Sequence, residues 1–530
     1  MTEQYKEFLK WNIYQIYPKS FMDANNDGIG DFRGIIEKIP YLAELGINAV
    51  WLSPCFESPG ADSGYDISDY LNVGKEFGTL DDFREMLDCF HAHGIKVIVD
   101  LVVNHCSTEH FWFREARKSR ENPYRDYFYW FDEPPNDWRS CFGGSAWQWD
   151  DTTGQYYLHS FAVEQADLNW ENPKVREEVK KIIDFWVDLG VDGFRCDVLD
   201  MISKDFVNKK NGNGPRLHEF IHEIFGRDKT KHLYTVGECW TADEKNLFDL
   251  TAAERGELTT SFIGGNITNC AGRFHPIPLD YDAIHRYFAK YQVLTQENDL
   301  IFAPFFENHD QCRCISRFAD DKQYRYESAT FFATLLYTLR GTPFILQGQE
   351  FGTPNAHYPD IRSFDDVETV NYYHRQEGSM DHEALMDLVN FGSRDNGRRP
   401  MAWTTGVNGG FNRGATPWLP LHSDYAACSL EADRASEKSV FAYYQKLLAL
   451  RKSSDTLLYG KFEDLTGDAK NYFMYSRTWG DKRMVVVCNY DQVSTIPLPA
   501  GLTRILGNYP AHTDNVFAPF EAVIYEQPLV

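Results

Sequence analysis

Four times along the chain an amphipathic helix runs into a glycine and then into a short apolar strand. The units are IIEKIPYLAELG before INAVWLSP, FREMLDCFHAHG before IKVIVDLVVNH, VREEVKKIIDFWVDLG before VDGFRCDV, and TFFATLLYTLRG before TPFILQGQE. Gly46, Gly94, Gly190 and Gly341 stand just past the helical run, where a left-handed backbone would strain a side chain. In the third unit Asn172 is placed to cap the helix, Pro173 sits where a missing N–H costs nothing, and Val179, Ile182, Ile183 and Trp186 recur at helical spacing as core residues. Alternating helices and strands imply a parallel sheet under a helical cover, and a run such as IKVIVDLVV marks strands buried on both faces. Further strands fit at NIYQIYP (12–18), LYTVGE (233–238) and IFAPFFENHD (301–310), with a weaker one near LTTSFIG. About eight parallel strands predict an α/β fold closed as a (β/α)8 TIM barrel. An open doubly wound sheet is the alternative, disfavoured because no Gly-rich phosphate loop follows the first strand.

More than sixty residues separate VVNH (102–105) from the helix capped at 172, whereas such connections usually take about 2–6. This predicts a subdomain inserted after the third strand, over 105–171, between the barrel segments 1–104 and 172–454. Its many aromatics are read mainly as the insertion's own core. From about 455 the pattern changes to alternating strands such as KNYFMYSRTW and DKRMVVVCNY, which predicts a C-terminal antiparallel β domain over 455–530.

Composition narrows the partners. Lys and Arg number 53 against 78 for Asp and Glu, and a net charge of −25 repels nucleic acid and anionic membrane surfaces. No apolar run approaches the roughly 20 residues of a spanning helix. The N-terminus lacks the zones of a secretory signal, and eleven cysteines, an odd number, suit reduced thiols; a cytoplasmic location and a monomer or weak homo-oligomer are expected.

The chemistry lies at the ends of the strands, which in a barrel converge on one face. The third strand ends in Asn104 and His105, the fourth in Arg195 and Asp197, the fifth in Glu238, and the seventh in His309 and Asp310. Strand side chains alternate, so Arg195 and Asp197 share a side. Grouping like charges in a partly dry site is costly unless a reaction uses them. Retaining glycoside hydrolysis does: one ionised carboxylate attacks the anomeric carbon while a second, protonated, serves the leaving oxygen. Arg195 is expected to keep Asp197 ionised as nucleophile, and Glu238, its pKa raised, to be the acid and then the base.

DLVVNH, GFRCDV, VGEC and FFENHD, in that order, resemble the four signature segments of the α-amylase superfamily, glycoside hydrolase family thirteen. The resemblance implies Asp197 as nucleophile, Glu238 as acid/base and Asp310 as transition-state stabiliser, with Arg195, His105 and His309 around the reacting glucose. Further segments, GIGDFRGI, ADSGYDISDY, QADLNW and SRDNGRRPMAW, are similar to the oligo-1,6-glucosidase and α-glucosidase branch, although Ala166 stands where that branch usually has Pro. By that likeness Asp62 and Tyr65 line the terminal-glucose site, and Asp62 pairs with Arg398 to close the pocket and make the enzyme exo-acting. Phe142, Phe161 and Gln165 come from the insertion, and Trp240 and Glu368 shape the leaving-group subsite. Val198 after the nucleophile resembles members that cleave α-1,6 bonds.

The expected activity is removal of terminal α-1,6-linked glucose from short oligosaccharides. The alternatives are a trehalose-6-phosphate hydrolase, for which Arg273 and Lys290 are the only basic residues noted near the leaving group, an α-1,4-preferring or transglucosylating α-glucosidase, and, outside enzymes, a transporter ancillary subunit. In the loop DANNDGIGD, oxygen ligands alternate at Asp23, Asn25, Asp27 and Asp31, as a hard cation requires. The resemblance adds the Ile29 carbonyl and implies a structural calcium, with magnesium as the other choice and no organic cofactor.

Overall fold

A computed structural model describes residues 2–241, 243–263, 273–511 and 515–529. Strands Thr260–Phe262, Tyr234–Glu238, Gly193–Cys196, Lys96–Leu101, Ala49–Leu52, Ile13–Ile16 and Phe344–Leu346 lie side by side in that order. Every pairing among them is parallel, and the register sets Arg195 beside Asp100. The predicted sixth strand is the short Thr260–Phe262; Gly264, at the end of its motif, lies outside the described residues.

The predicted seventh strand, 301–310, is extended chain without a regular ladder, because Pro304 has no N–H to give. It still fills the gap. Thr342 and Phe344 donate to the carbonyls of Phe302 and Pro304 at 2.8 and 3.0 Å, and the Thr260 hydroxyl reaches the Ile301 carbonyl at 2.8 Å. The result is a closed (β/α)8 barrel.

The helices form for the reasons the sequence suggests, with one exception. Asp31 caps Phe32–Leu45 through the Gly34 N–H, Thr79 and Asp82 make a capping box on Leu80–Ala92, and Asn172 caps Pro173–Leu189, which ends on Gly190 at φ 110°. The exception is Arg325–Thr338, which is not amphipathic: every residue from Glu327 to Thr338 is buried. It is sandwiched between the barrel, the helix Val440–Lys452 and the C-terminal sheet, so it has no wet face to leave polar. Gly341 does not cap it either. A Cβ there would fall 2.3 Å from the Phe302 carbonyl oxygen and the backbone stands at φ 143°, so close approach and a conformation that side chains rarely adopt together require the glycine.

Between the third and fourth strands, His105–Ser107 pairs antiparallel with Gln165–Asp167, and a three-stranded antiparallel sheet lies between them in sequence. Tyr129, Trp138, Trp147, Ala146 and Leu158 form a separate small core there. Near the C-terminus Lys461–Asp464, Tyr472–Trp479, Lys482–Asn489, Ala522–Pro528 and Thr503–Gly507 make a five-stranded antiparallel sheet. Two buried guanidiniums tie it and its preceding helix to the barrel: Arg477 donates to the Thr338 carbonyl at 2.7 Å and Arg451 to that of Gly341 at 2.6 Å. Among the described residues no helix is long and apolar enough to cross a membrane.

Candidate active site

The carboxyl ends of the strands open on a cavity of about 960 Å³. Its floor is organised by one cation. Arg195, only 1 % exposed, reaches three carboxyl groups: Asp100 at 2.7 Å and Asp197 at 2.6 Å through Nη1, and Glu238 at 2.5 Å through Nη2. Strand geometry causes this arrangement, since Asp100 lies beside Arg195 in register, Asp197 follows two residues later on the same side, and Glu238 ends the next strand. Because two nitrogens of one planar group hold Asp197 and Glu238, these stand side by side, and the roughly 5 Å spacing of a double displacement lies within that bridge.

Three acids around one guanidinium leave negative charge in excess, and the site answers by holding protons. Burial pushes Asp197 up to about 7, more than Arg195 can lower it. Burial likewise raises Glu238 to about 7, with Asp197 and Asp310 adding to the shift against Arg195. Asp100 rises to about 6, again through burial. Arg195 draws Asp197 toward its ionised form by charge and by hydrogen bond, while burial acts the other way and is the larger effect. Asp197 and Glu238, neighbours on one guanidinium, are thus both raised toward neutrality.

Asp310 has the opposite environment. Burial opposes its ionisation, but His309, Arg394 and Arg398 outweigh burial and hold it well below the usual carboxylate range. Arg394 and Arg398 contact its Oδ1 at 3.0 and 2.9 Å, and His309 Nε2 lies 3.1 Å from Oδ2. Gln15 donates to His309 Nδ1 at 2.7 Å, so Nε2 carries the hydrogen that faces Asp310. Burial lowers His105 to about 4, which leaves it a neutral imidazole.

The structure brings most of the predicted substrate residues together. Asp62, Tyr65, His105, Phe142, Phe161, Trp240 and Glu368 line the cavity with Asp197, Glu238 and Asp310. Gln165 stands behind this wall, donating to Asp62 at 3.2 Å and meeting His105 at 3.0 Å. Arg195 and His309 lie beneath it, fully buried. Two expectations change. Asp62 does not pair with Arg398: its nearest guanidinium is Arg394 at 3.7 Å, while Arg398 bonds the His309 carbonyl at 2.7 Å and the Asp310 carboxylate. The two arginines are one helical turn apart on the same face, and the earlier one reaches the rim. Lys290 does not line the cavity and is paired with Glu244 on the surface.

Sequence reasoning missed Asp100, whose signal was a lone acid inside an apolar strand, and Arg394, which also holds Asp366 at 2.6 Å. It also missed Arg139 and Lys210, exposed basic residues that line the cavity.

The loop 23–31 offers only oxygen donors, which suits a hard cation. In this fold, however, those donors serve the backbone. Asp23 accepts from the N–H groups of Asn26 and Gly28, Asp27 from Ile29, and Asp31 from Ala24, Asn25 and Gly34. Among the described residues no three His, Cys, Asp or Glu side chains converge as ligands.

A closed (β/α)8 barrel carrying paired carboxylates on one guanidinium at the C-terminal face defines the class, a glycoside hydrolase. Residues 15–460 match the family model described as alpha amylase, catalytic domain, and the chain belongs to that family. It is 43% identical to an oligo-1,6-glucosidase of Parageobacillus thermoglucosidasius, over 91% of this chain and 90% of that protein. It is 40% identical to the trehalose-6-phosphate hydrolase of Escherichia coli strain K12, over 97% and 98% of the two chains. The crystal structure of a trehalose-6-phosphate hydrolase from Bacillus licheniformis superposes with a TM-score of 0.93 at 37% identity, over 98% of this chain and 99% of that one.

Proposed function

We propose that the protein is a retaining, exo-acting α-glucosidase that hydrolyses terminal α-1,6-linked glucose from isomaltose and short isomalto-oligosaccharides in the cytosol. The observation that carries this reading is the Asp197–Arg195–Glu238 bridge, set beside a buried wall of Asp62, Gln165 and Arg394. Asp197 attacks the anomeric carbon as Glu238 gives its proton to the leaving oxygen; Glu238, now ionised, takes a proton from the water that releases glucose with retained configuration. Asp310, held ionised, accepts from sugar hydroxyls as positive charge develops on the ring. The Parageobacillus relative supports the linkage, and the ten described cysteines, all free, suit a reducing compartment.

One observation favours a second reading. Arg139 and Lys210 line the cavity, neither is paired with an acid among the described residues, and two such cations would suit a phosphorylated leaving group. A product assay on isomaltose, panose, maltose, sucrose and trehalose-6-phosphate in parallel separates the readings. Rapid cleavage of the phosphorylated sugar with indifference to isomaltose would overturn the α-1,6 assignment.

We also propose that the loop 23–31 takes a structural divalent cation, calcium before magnesium, through Asp23, Asn25, Asp27, the Ile29 carbonyl and Asp31. Its all-oxygen donor set supports this. Adding millimolar calcium to chelator-treated protein should raise the thermal midpoint by several degrees, with linkage to ion concentration. An unchanged midpoint across that titration would remove the ion from the account.

A further inference from the structure

Glu238 is saturated with donors. Its Oε2 accepts from Arg195 Nη2 at 2.5 Å and from the Val198 N–H at 3.2 Å, and its Oε1 accepts from the indole Nε1–H of Trp240 at 2.6 Å. None of the three donors can accept a proton, so the arrangement favours the carboxylate. These donors pull against the burial that raises Glu238 to about 7, and so lower the fraction of Glu238 that carries the proton a leaving oxygen needs. Something must let go.

Two of the donors are fixed. Arg195 is buried beneath three acids, and Val198 is locked in a left-handed backbone at φ 34°, an uncommon conformation for a β-branched residue, which aims its N–H at Glu238. Trp240 differs: it is 38 % exposed and lines the cavity. Its backbone is pinned next door, where the Thr241 N–H and hydroxyl both bond Asp200, at 2.5 and 2.6 Å.

We propose that Trp240 is a positioning residue that draws Glu238 toward its carboxylate form and stops doing so when the leaving-group sugar displaces the indole from Oε1. The proposal rests on Glu238 as acid/base. With the indole withdrawn, the proton that Glu238 carries is held on Oε1 and passes to the glycosidic oxygen as Asp197, ionised, forms its bond to the anomeric carbon and the C–O bond breaks. The indole N–H then meets the new carboxylate again. The other groups facing Glu238 are Arg195 and Asp197 from the fourth strand, Asp100 from the third, Asp310 from the loop after 306, and the thiols of Cys239 and Cys141.

Trp240→Phe keeps an apolar ring and removes the donor. Losing a donor to a carboxylate raises its pKa, so the alkaline limb of kcat/KM on isomaltose should move to higher pH by about half a unit or more. A ring that serves only as a sugar platform would raise KM and leave the limb where it was, and that result would overturn the proposal. Should the variant not fold, ¹⁵N-indole spectra of the wild-type protein supply the same test. The Trp51 indole bonds Asp100 and is set apart by Trp51→Phe; one further tryptophan N–H should titrate near neutral pH, and if none does the proposal fails. Glu238→Gln is the separate control: normal turnover of isomaltose by that variant would remove the acid/base reading itself, whatever Trp240→Phe shows.

Discussion

Asp197→Asn should lower kcat by about ten-thousand-fold or more and leave the fold intact, because an amide cannot attack the anomeric carbon. The same variant should be more stable than its parent above neutrality. The folded-state pKa of Asp197 is raised by burial to about 7, well above the unfolded value near 4. Protonation therefore favours the folded state, fully below about pH 4, and that advantage is lost as pH rises through 7. At pH 8 the buried carboxylate costs the fold free energy that asparagine does not, on the order of a few kcal/mol for a rise from near 4 to about 7. Thermal midpoints of both proteins from pH 4 to 8 test this. A variant less stable than the parent at pH 8 would mean that Arg195 gains more from the ionised acid than burial takes away.

Arg195→Leu should be the most damaging substitution in the floor of the site. It leaves Asp100, Asp197 and Glu238 buried together with no cation, and breaking such a cluster from one side costs about 3–5 kcal/mol. The loss should shrink in acid, where the three groups are neutral and no longer repel. Activity should fall by more than about a thousand-fold at every pH, because the two reacting carboxyls lose the bridge that spaces them. Arg195→Lys restores a charge but not a fork, so it should recover stability without recovering turnover. Urea midpoints at pH 5 and 8 check both variants; a leucine variant as stable as the parent at pH 8 would show that the cation is dispensable.

The parts of the site legible in the sequence were those that strand alternation places. Arg195 and Asp197 share a side because two residues of a strand return to the same face, and no tertiary contact was needed to infer it. Asp100 obeys the same rule but sits within IKVIVDLVV, where the pattern of a doubly buried strand hid one acid among its neighbours. Arg394 and Arg398 were beyond sequence logic, since positions four apart on a helix point the same way and only packing decides which reaches Asp62. The seventh strand was correctly placed yet irregular, because Pro304 removes a donor from its ladder. The helix 325–338 was misread as amphipathic because its burial depends on a sheet more than a hundred residues away.

The cavity has an exposed end, marked by Arg139, Lys210 and Trp240, and an inner end sealed by Asp62, Gln165 and Arg394, all nearly inaccessible to water. With this inner lining buried among the described residues, sugars enter and leave by the exposed end in turn. The shortened sugar departs first, glucose last, and a long polymer cannot be threaded through for successive cuts. Each bond broken therefore demands a new encounter, and accumulated glucose competes with the next arrival for the same innermost seat.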